Sequence, residues 1–85
     1  MNGDLTWQFQ DPKLQTPRDL TVDDTGFVLV IGETSNNVFA ISPDGQIGRE
    51  VLNNLDKPYA IDFDKTSKLM VITKITGSAN VYQKM

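Results

Sequence analysis

The sequence predicts an all-β fold made of two repeated units, each with four short antiparallel strands. One observation is that residues 14–22 (LQTPRDLTV) and 55–63 (LDKPYAIDF) place Leu, Pro and large apolar residues at the same spacing, 41 positions apart. Another is that short apolar or alternating segments are separated by turn residues along the whole chain. No apolar pattern of helical period is long enough to predict a helix.

The repeat extends well beyond these two segments. Across residues 14–31 and 55–72, six positions are identical, whereas about one identity is expected by chance. Allowing two extra residues aligns 37–39 (NVF) with 80–82 (NVY). A fixed period near 40 residues predicts stacked units. Because residues 3–5 resemble 45–47, we predict two permuted units, 3–44 and 45–85, within one domain spanning residues 1–85.

The strands are predicted in chain order from the period-2 pattern and the turns. Residues 4–10 alternate apolar and polar side chains, as do 18–23. Residues 27–32 and 38–42 are nearly continuous apolar runs, which favour strands covered on both faces. Residues 47–52 supply the fourth strand of the first sheet. The C-terminal sheet occupies 59–83 with three strands, of which the last is 79–83.

Four antiparallel strands in about 40 residues describe one blade of a β-propeller. The spacing also resembles the NHL repeat, in two copies over nearly the whole chain. In the first copy the resemblance rests on Leu14, Pro17, Leu20, Val22, Asp23, Gly26, Val28, Val30, Asn36, Val38 and Ile41. The resemblance implies a propeller segment that recruits targets, as at the end of a tripartite-motif ubiquitin ligase. The family usually pairs an acidic residue with an Arg where this chain has Glu33 and Asn37, so that ion pair is expected to be missing.

The amino-acid composition argues against metal-dependent and enzymatic functions. The chain has no His and no Cys, which removes the usual zinc ligands and the commonest general base. We therefore expect no metal, no cofactor and no enzymatic activity; relatives of the repeat with lyase chemistry depend on His ligands. The N-terminal residues do not resemble a signal peptide, and the longest apolar run, 27–31, is too short to cross a membrane. We expect a cytoplasmic protein.

The predicted strand order, from a central channel outward, is implied by the resemblance. It places segments 10–18, 32–37, 53–59 and 73–79 on one face with a charge sum of +1, and the opposite face sums to −2. We predict that the first face binds a protein or peptide; an RNA ligand is the alternative, and the small positive sum disfavours it. The predicted contact residues are Arg18, Tyr59, Lys13, Lys57 and Lys74.

Two structural alternatives accompany these predictions. Arg18 would instead cap a turn, and Tyr59 would pack between the units. On the opposite face, Asp23 and Asp24 are adjacent, so in an extended strand their side chains would point apart and share no site.

The phase of the repeat also predicts an assembly. Residues 4–10 form a spare outer strand, whereas 79–83 leave an open edge. The two lie on far sides of a two-unit wedge, so we predict that another copy supplies the strand. The outer faces, with Val28, Val30, Leu69 and Val71, would otherwise stay exposed. A head-to-tail homotrimer is favoured over two or four chains, since NHL propellers usually have six blades. The exchanged strand would involve Leu5, Trp7, Phe9, Ala79 and Val81.

Overall fold

The computed structural model describes residues 7–84, and within them the fold is all-β with no helix. Seven strands form two antiparallel sheets. Sheet 1 contains β1 (Pro17–Val22), β2 (Val28–Gly32), β3 (Asn37–Ile41) and β4 (Gly48–Leu52). Sheet 2 contains β5 (Pro58–Asp64), β6 (Leu69–Lys74) and β7 (Ala79–Gln83). In each sheet the strands follow chain order, and the predicted all-β fold class is confirmed.

The middle strands of sheet 1 have the burial that their apolar runs predict. All five residues of β3 are buried, as are four of the five residues of β2. Turn residues close the hairpins: the Asp23 carboxylate accepts hydrogen bonds from the backbone N–H groups of Thr25 and Phe27 at 2.8 and 3.0 Å. Gly26 adopts a φ of 88°, a conformation that a side chain disfavours. In sheet 2 the corresponding turn ends at Lys68, with a φ of 59°.

The two sheets repeat each other closely at their first strands. Each of β1 and β5 has a register shift just after its proline, so that Arg18 and Tyr59 are the extra residues at equivalent positions. Residues Thr16 and Lys57, also 41 apart, share a positive φ. The internal repeat is therefore a repeat of backbone geometry as well as of residue type.

The second and third strands align differently from the sequence prediction. Val22 pairs with Val28 in sheet 1 and Phe63 pairs with Met70 in sheet 2, so Val28 corresponds to Met70 rather than to Leu69. The turn in sheet 2 is one residue longer, and a one-residue offset moves every side chain to the other face. In the third strands, Ile41 rather than Phe39 corresponds to Tyr82, since Ile41 pairs with Val28 and Tyr82 pairs with Met70.

The core lies between the two sheets. One face of sheet 1, which we call its contact face, packs against one face of sheet 2. The two faces form one apolar cluster: the contact face supplies Leu29, Ile31, Val38 and Ala40, and sheet 2 supplies Ile61, Phe63, Met70 and Ile72. Leu52 and Tyr82 pack against this cluster. The Asp19 carboxylate also accepts a hydrogen bond from the backbone N–H of Ile61 at 2.9 Å, which joins the innermost strands of the two sheets.

Each sheet also has a face that does not enter this interface. Strand pairing places Leu20, Val22, Val28, Val30 and Phe39 on the free face of sheet 1, and Leu69, Val71 and Val81 on the free face of sheet 2. Of the four residues predicted on exposed outer faces, Val30 is buried, at 7 % exposure, and Val28, Leu69 and Val71 are half-buried. The exposed residues of the free face of sheet 1 are instead Leu20 at 59 % and Val22 at 41 %.

Residues 7–10 do not form a strand, although residues 4–10 were predicted as one. The part of that prediction on residues 4–6, with Leu5, lies outside the described residues. Trp7 donates a hydrogen bond from Nε1 to the carbonyl oxygen of Pro43 at 3.0 Å. The Phe9 ring lies 6.0 Å from that of Phe39, centroid to centroid. The segment therefore covers the outer part of the free face of sheet 1.

Candidate interaction surface

One end of both sheets is formed by four loops that are hydrogen-bonded to one another. The backbone N–H of Glu33 donates to Thr16 at 2.9 Å, and that of Leu55 donates to Asn36 at 2.9 Å. In sheet 2, the N–H of Ile75 donates to Lys57 at 3.2 Å. These bonds join the loops that precede β1 and β5 to the loops that follow β2 and β6, and they give this end an ordered surface.

Arg18 and Tyr59 meet at the junction of the two sheets on this surface. The Arg18 guanidinium carbon lies 3.8 Å from the centre of the Tyr59 ring, a cation–π stack. Arg18 Nη1 also lies 3.0 Å from Glu33 Oε2. The side chains of Arg18 and Glu33 both remain partly exposed, and Tyr59 is exposed as well. The structure thus brings together the two residues that the repeat predicted as equivalent.

The three lysines predicted for this surface occupy different surroundings. Lys74 Nζ lies 3.7 Å from Asp56 Oδ2, a long ion pair. Lys57 holds a positive φ of 49° immediately before Pro58. The backbone N–H of Lys13 donates to the Asp11 carboxylate at 2.8 Å. The structure connects none of these three ammonium groups directly to the Arg18–Tyr59 pair among the described residues.

Asn37 is a buried polar centre beneath this surface. Its Nδ2 donates to the Lys13 carbonyl oxygen and to Glu50 Oε2, both at 2.7 Å, and its Oδ1 accepts from the Ser35 hydroxyl at 2.6 Å. The hydrogen bond from Asn37, with a second from Asn53, lowers the pKa of Glu50. The family's ion pair, which was expected to be missing, is replaced here: Glu33 pairs with Arg18, and the amide of Asn37 occupies the buried position.

At the opposite end, Lys84 joins Asp23 and Asp24. Its Nζ lies 3.1 Å from Asp23 Oδ2 and 2.6 Å from Asp24 Oδ1. The prediction that the two aspartates share no site was wrong, because β1 ends at Val22 and both residues lie in the turn that follows. Hydrogen bonding to Asp24 and Asp23 raises the pKa of Lys84.

Burial opposes the charge of Asp23, but hydrogen bonds from Thr25, Lys84 and the Phe27 backbone outweigh it and lower the pKa of this carboxyl. The contact with Lys84 was not visible in the sequence, since the two residues lie 61 positions apart in different units. Every acid in this cluster is therefore already engaged by a cation or by backbone N–H groups.

A groove of about 520 Å³ runs between the outer strands of the two sheets. It is lined by residues of β4 and β7, including Arg49, Val51, Tyr82 and Gln83, and it reaches Asp23 and Lys84 at one end. Residues 7–84 contain no cluster of three or more acidic residues placed to hold a metal ion. They also contain no helix that would cross a membrane.

Two comparisons with known proteins were negative. Neither a scan against protein-family models nor a search of curated proteins found a match. The resemblance to the NHL repeat therefore stays a prediction.

Proposed function

We propose that this chain is a non-enzymatic interaction module of propeller type that binds a protein or peptide on the surface around Arg18 and Tyr59. The observation that carries the proposal is the Arg18–Tyr59 stack, at 3.8 Å, across the junction of the two sheets. Arg and Tyr are enriched among the residues that dominate binding energy in protein interfaces. The family resemblance agrees with this role, and it suggests recruitment of targets to a ubiquitin ligase.

The pair is held before any ligand arrives. Each residue sits on a β-bulge, which re-aims its side chain away from the strand ladder. Glu33 holds the guanidinium from a second direction. A surface that is already ordered loses less conformational entropy on binding, so the arrangement favours recognition of a partner by a fixed Arg–Tyr platform.

A peptide suits this surface better than RNA. Single-stranded RNA is bound by strongly basic grooves with several stacking aromatic residues. Here Arg18 and Lys74 already face carboxylates, and the four loops sum to +1. Such a surface provides little excess positive charge for a phosphate backbone.

The test is selection of binding peptides from a displayed random library on the immobilised full chain. We expect the selected peptides to lose at least tenfold in affinity on Arg18→Ala and on Tyr59→Ala, since each removes an anchor worth more than about 1.4 kcal/mol. Lys65→Ala is the matched control, because Lys65 is an exposed cation in a turn at the opposite end. The affinity of the Lys65→Ala variant for the selected peptides should stay at the wild-type value.

The proposal is contradicted if the selected peptides bind both variants as well as they bind the wild type. It is also contradicted if single-stranded RNA binds the wild type at low salt, with an affinity that falls steeply as salt rises and exceeds that of the peptides.

A further inference from the structure

We infer that a second copy of this chain completes sheet 2, by adding residues 7–10 as a fourth strand beside β7 while Trp7 and Phe9 stay packed on their own sheet 1. This assembly does not depend on the peptide ligand proposed above.

Sheet 2 has an open edge. It contains three strands where sheet 1 has four, and β7 has β6 as its neighbour on one side only among the described residues. Four of the five residues of β7 are exposed. An exposed strand edge presents unpaired backbone groups that template the addition of another strand.

The segment that would fill the edge is already positioned on the free face of sheet 1. Trp7 and Phe9 are half-buried and alternate with exposed Gln8 and Gln10, as in a strand with one covered face. A Cβ atom on Gly45 or Gly48 would overlap the rings of Trp7 and Phe9, so these glycines make room for the two aromatic residues. No backbone hydrogen bond joins residues 7–10 to another described residue. Their backbone is therefore available to a partner.

The contact between sheets 1 and 2 is a template for the contact between copies. Inside one chain, Leu52 of the outer strand β4 packs against the apolar cluster between the sheets, as Tyr82 of β7 does. The segment 7–10 lies in the equivalent place on sheet 1, with Phe9 beside Phe39. It thus occupies the position of the last strand of a preceding unit. Among the residues that the structure describes, the unit without such a strand is sheet 2.

Residues 7–10 cannot pair with the β7 edge of their own chain in this arrangement. Trp7 and Phe9 lie on the free face of sheet 1, whereas sheet 2 packs on the contact face. In the proposed assembly, the free face of sheet 1 packs against the free face of sheet 2 of another copy. The first face carries exposed Leu20 and Val22, and the second carries Val81, which is 59 % exposed. A repeated head-to-tail contact of this kind closes into a ring or continues as a filament. Blades of a propeller close with four to eight units, so two to four chains form the ring.

The template also fixes the register. In sheet 1, Glu50 pairs with Phe39 and Arg49 pairs with Ala40. Phe39 corresponds to Asn80, because Phe39 pairs with Val30 and Asn80 pairs with Ile72 at the same distance from the turn. With residues 7–8 in the place of 49–50, Gln8 lies opposite Asn80. Directly opposed residues of an antiparallel pair have Cα atoms about 4.5–5.5 Å apart, within reach of a disulfide.

The test is an engineered disulfide between copies. Because the chain has no native Cys, any disulfide must join the introduced residues. The chain with both Gln8→Cys and Asn80→Cys should form, on oxidation, covalent species that grow to a closed ring of two, three or four chains. The chain with Gln8→Cys and Ile75→Cys is the register control and should stay uncross-linked. Only monomers after oxidation, with either free thiols or an internal disulfide, would overturn the inference.

A pair of single substitutions tests the face without altering the strand. Val81→Asp should abolish the assembly in light scattering, because it places a charge in the apolar contact. Ile75→Asp should leave the assembly intact, since Ile75 is equally exposed, at 60 %, but lies in the loop after β6. Circular dichroism confirms that each variant keeps its β structure. Equal loss of assembly in both variants, or in neither, would contradict the proposed interface.

Discussion

Asn37 opens the third strand of sheet 1 and is buried, although asparagine side chains are mostly exposed in proteins. Its amide makes three hydrogen bonds that connect the loop before β1, the loop after β2 and strand β4. These bonds anchor the surface on which Arg18 lies to the strands beneath it. At the residue scale, the order of the candidate interaction surface therefore depends on a side chain that does not itself face a ligand.

Replacing this amide should cost stability. Asn37→Ala leaves the Lys13 carbonyl oxygen and Glu50 Oε2 without the amide that donates to both, and we expect the free energy of unfolding to fall by roughly 1–3 kcal/mol. Asn80→Ala is the control, because the sequence aligns Asn80 with Asn37 but its side chain is exposed; we expect a change within about 0.5 kcal/mol. Urea unfolding at one fixed chain concentration measures both. Equal effects of the two substitutions would refute the role assigned to Asn37.

At the scale of elements, the turn after β1 and the end of β7 are linked by charge. Asp23 is 5 % exposed and accepts hydrogen bonds from Thr25 and Phe27 as well as the ammonium group of Lys84. This link ties the C-terminal end of sheet 2 to the first hairpin of sheet 1. It supplements the apolar contact between the sheets.

The lowered pKa of Asp23 predicts how this link responds to pH. A carboxyl whose pKa is lower in the folded state contributes stability above its ordinary pKa, about 4, and loses it as the pH falls through the folded value. We expect the wild type to lose stability below about pH 4–5, and Asp23→Asn to show a smaller loss. Lys84→Met should lie between them, because the bonds from Thr25 and Phe27 remain. Unfolding free energies measured from pH 7 to pH 3 decide this, and an unchanged pH dependence in Asp23→Asn would contradict it.

The strands illustrate what was predictable from sequence and what was not. The apolar runs located β2 and β3, and the repeated proline located the start of β1 and β5 to within one residue. The second strands were misaligned, however, because the sequence alignment matched Val30–Ile31 with the identical Val71–Ile72. The face on which a side chain lies depends on its distance from the turn, and the turn after β5 is one residue longer than the turn after β1. The contacts of Lys84 and the position of Trp7 on Pro43 depend on tertiary packing, which no local pattern encodes.

At the scale of the whole molecule, the chain is two similar units that bury one interface between them. Among residues 7–84, sheet 1 has four strands and sheet 2 has three, while a segment of suitable pattern lies on the far face of sheet 1. Each free face carries exposed apolar side chains, Leu20 and Val22 on one and Val81 on the other. The geometry that joins the two sheets inside one chain is therefore available again between chains.

The mass of the particle in solution, from native mass spectrometry and light scattering over a range of concentrations, tests this account most directly. We predict a closed assembly of three chains, the number that the resemblance to the NHL repeat favours. Two or four chains would keep the ring and correct the number of units in it. A stable, folded monomer at every concentration would contradict the account, because the open edge of β7 and both free faces would then have no partner of the proposed kind.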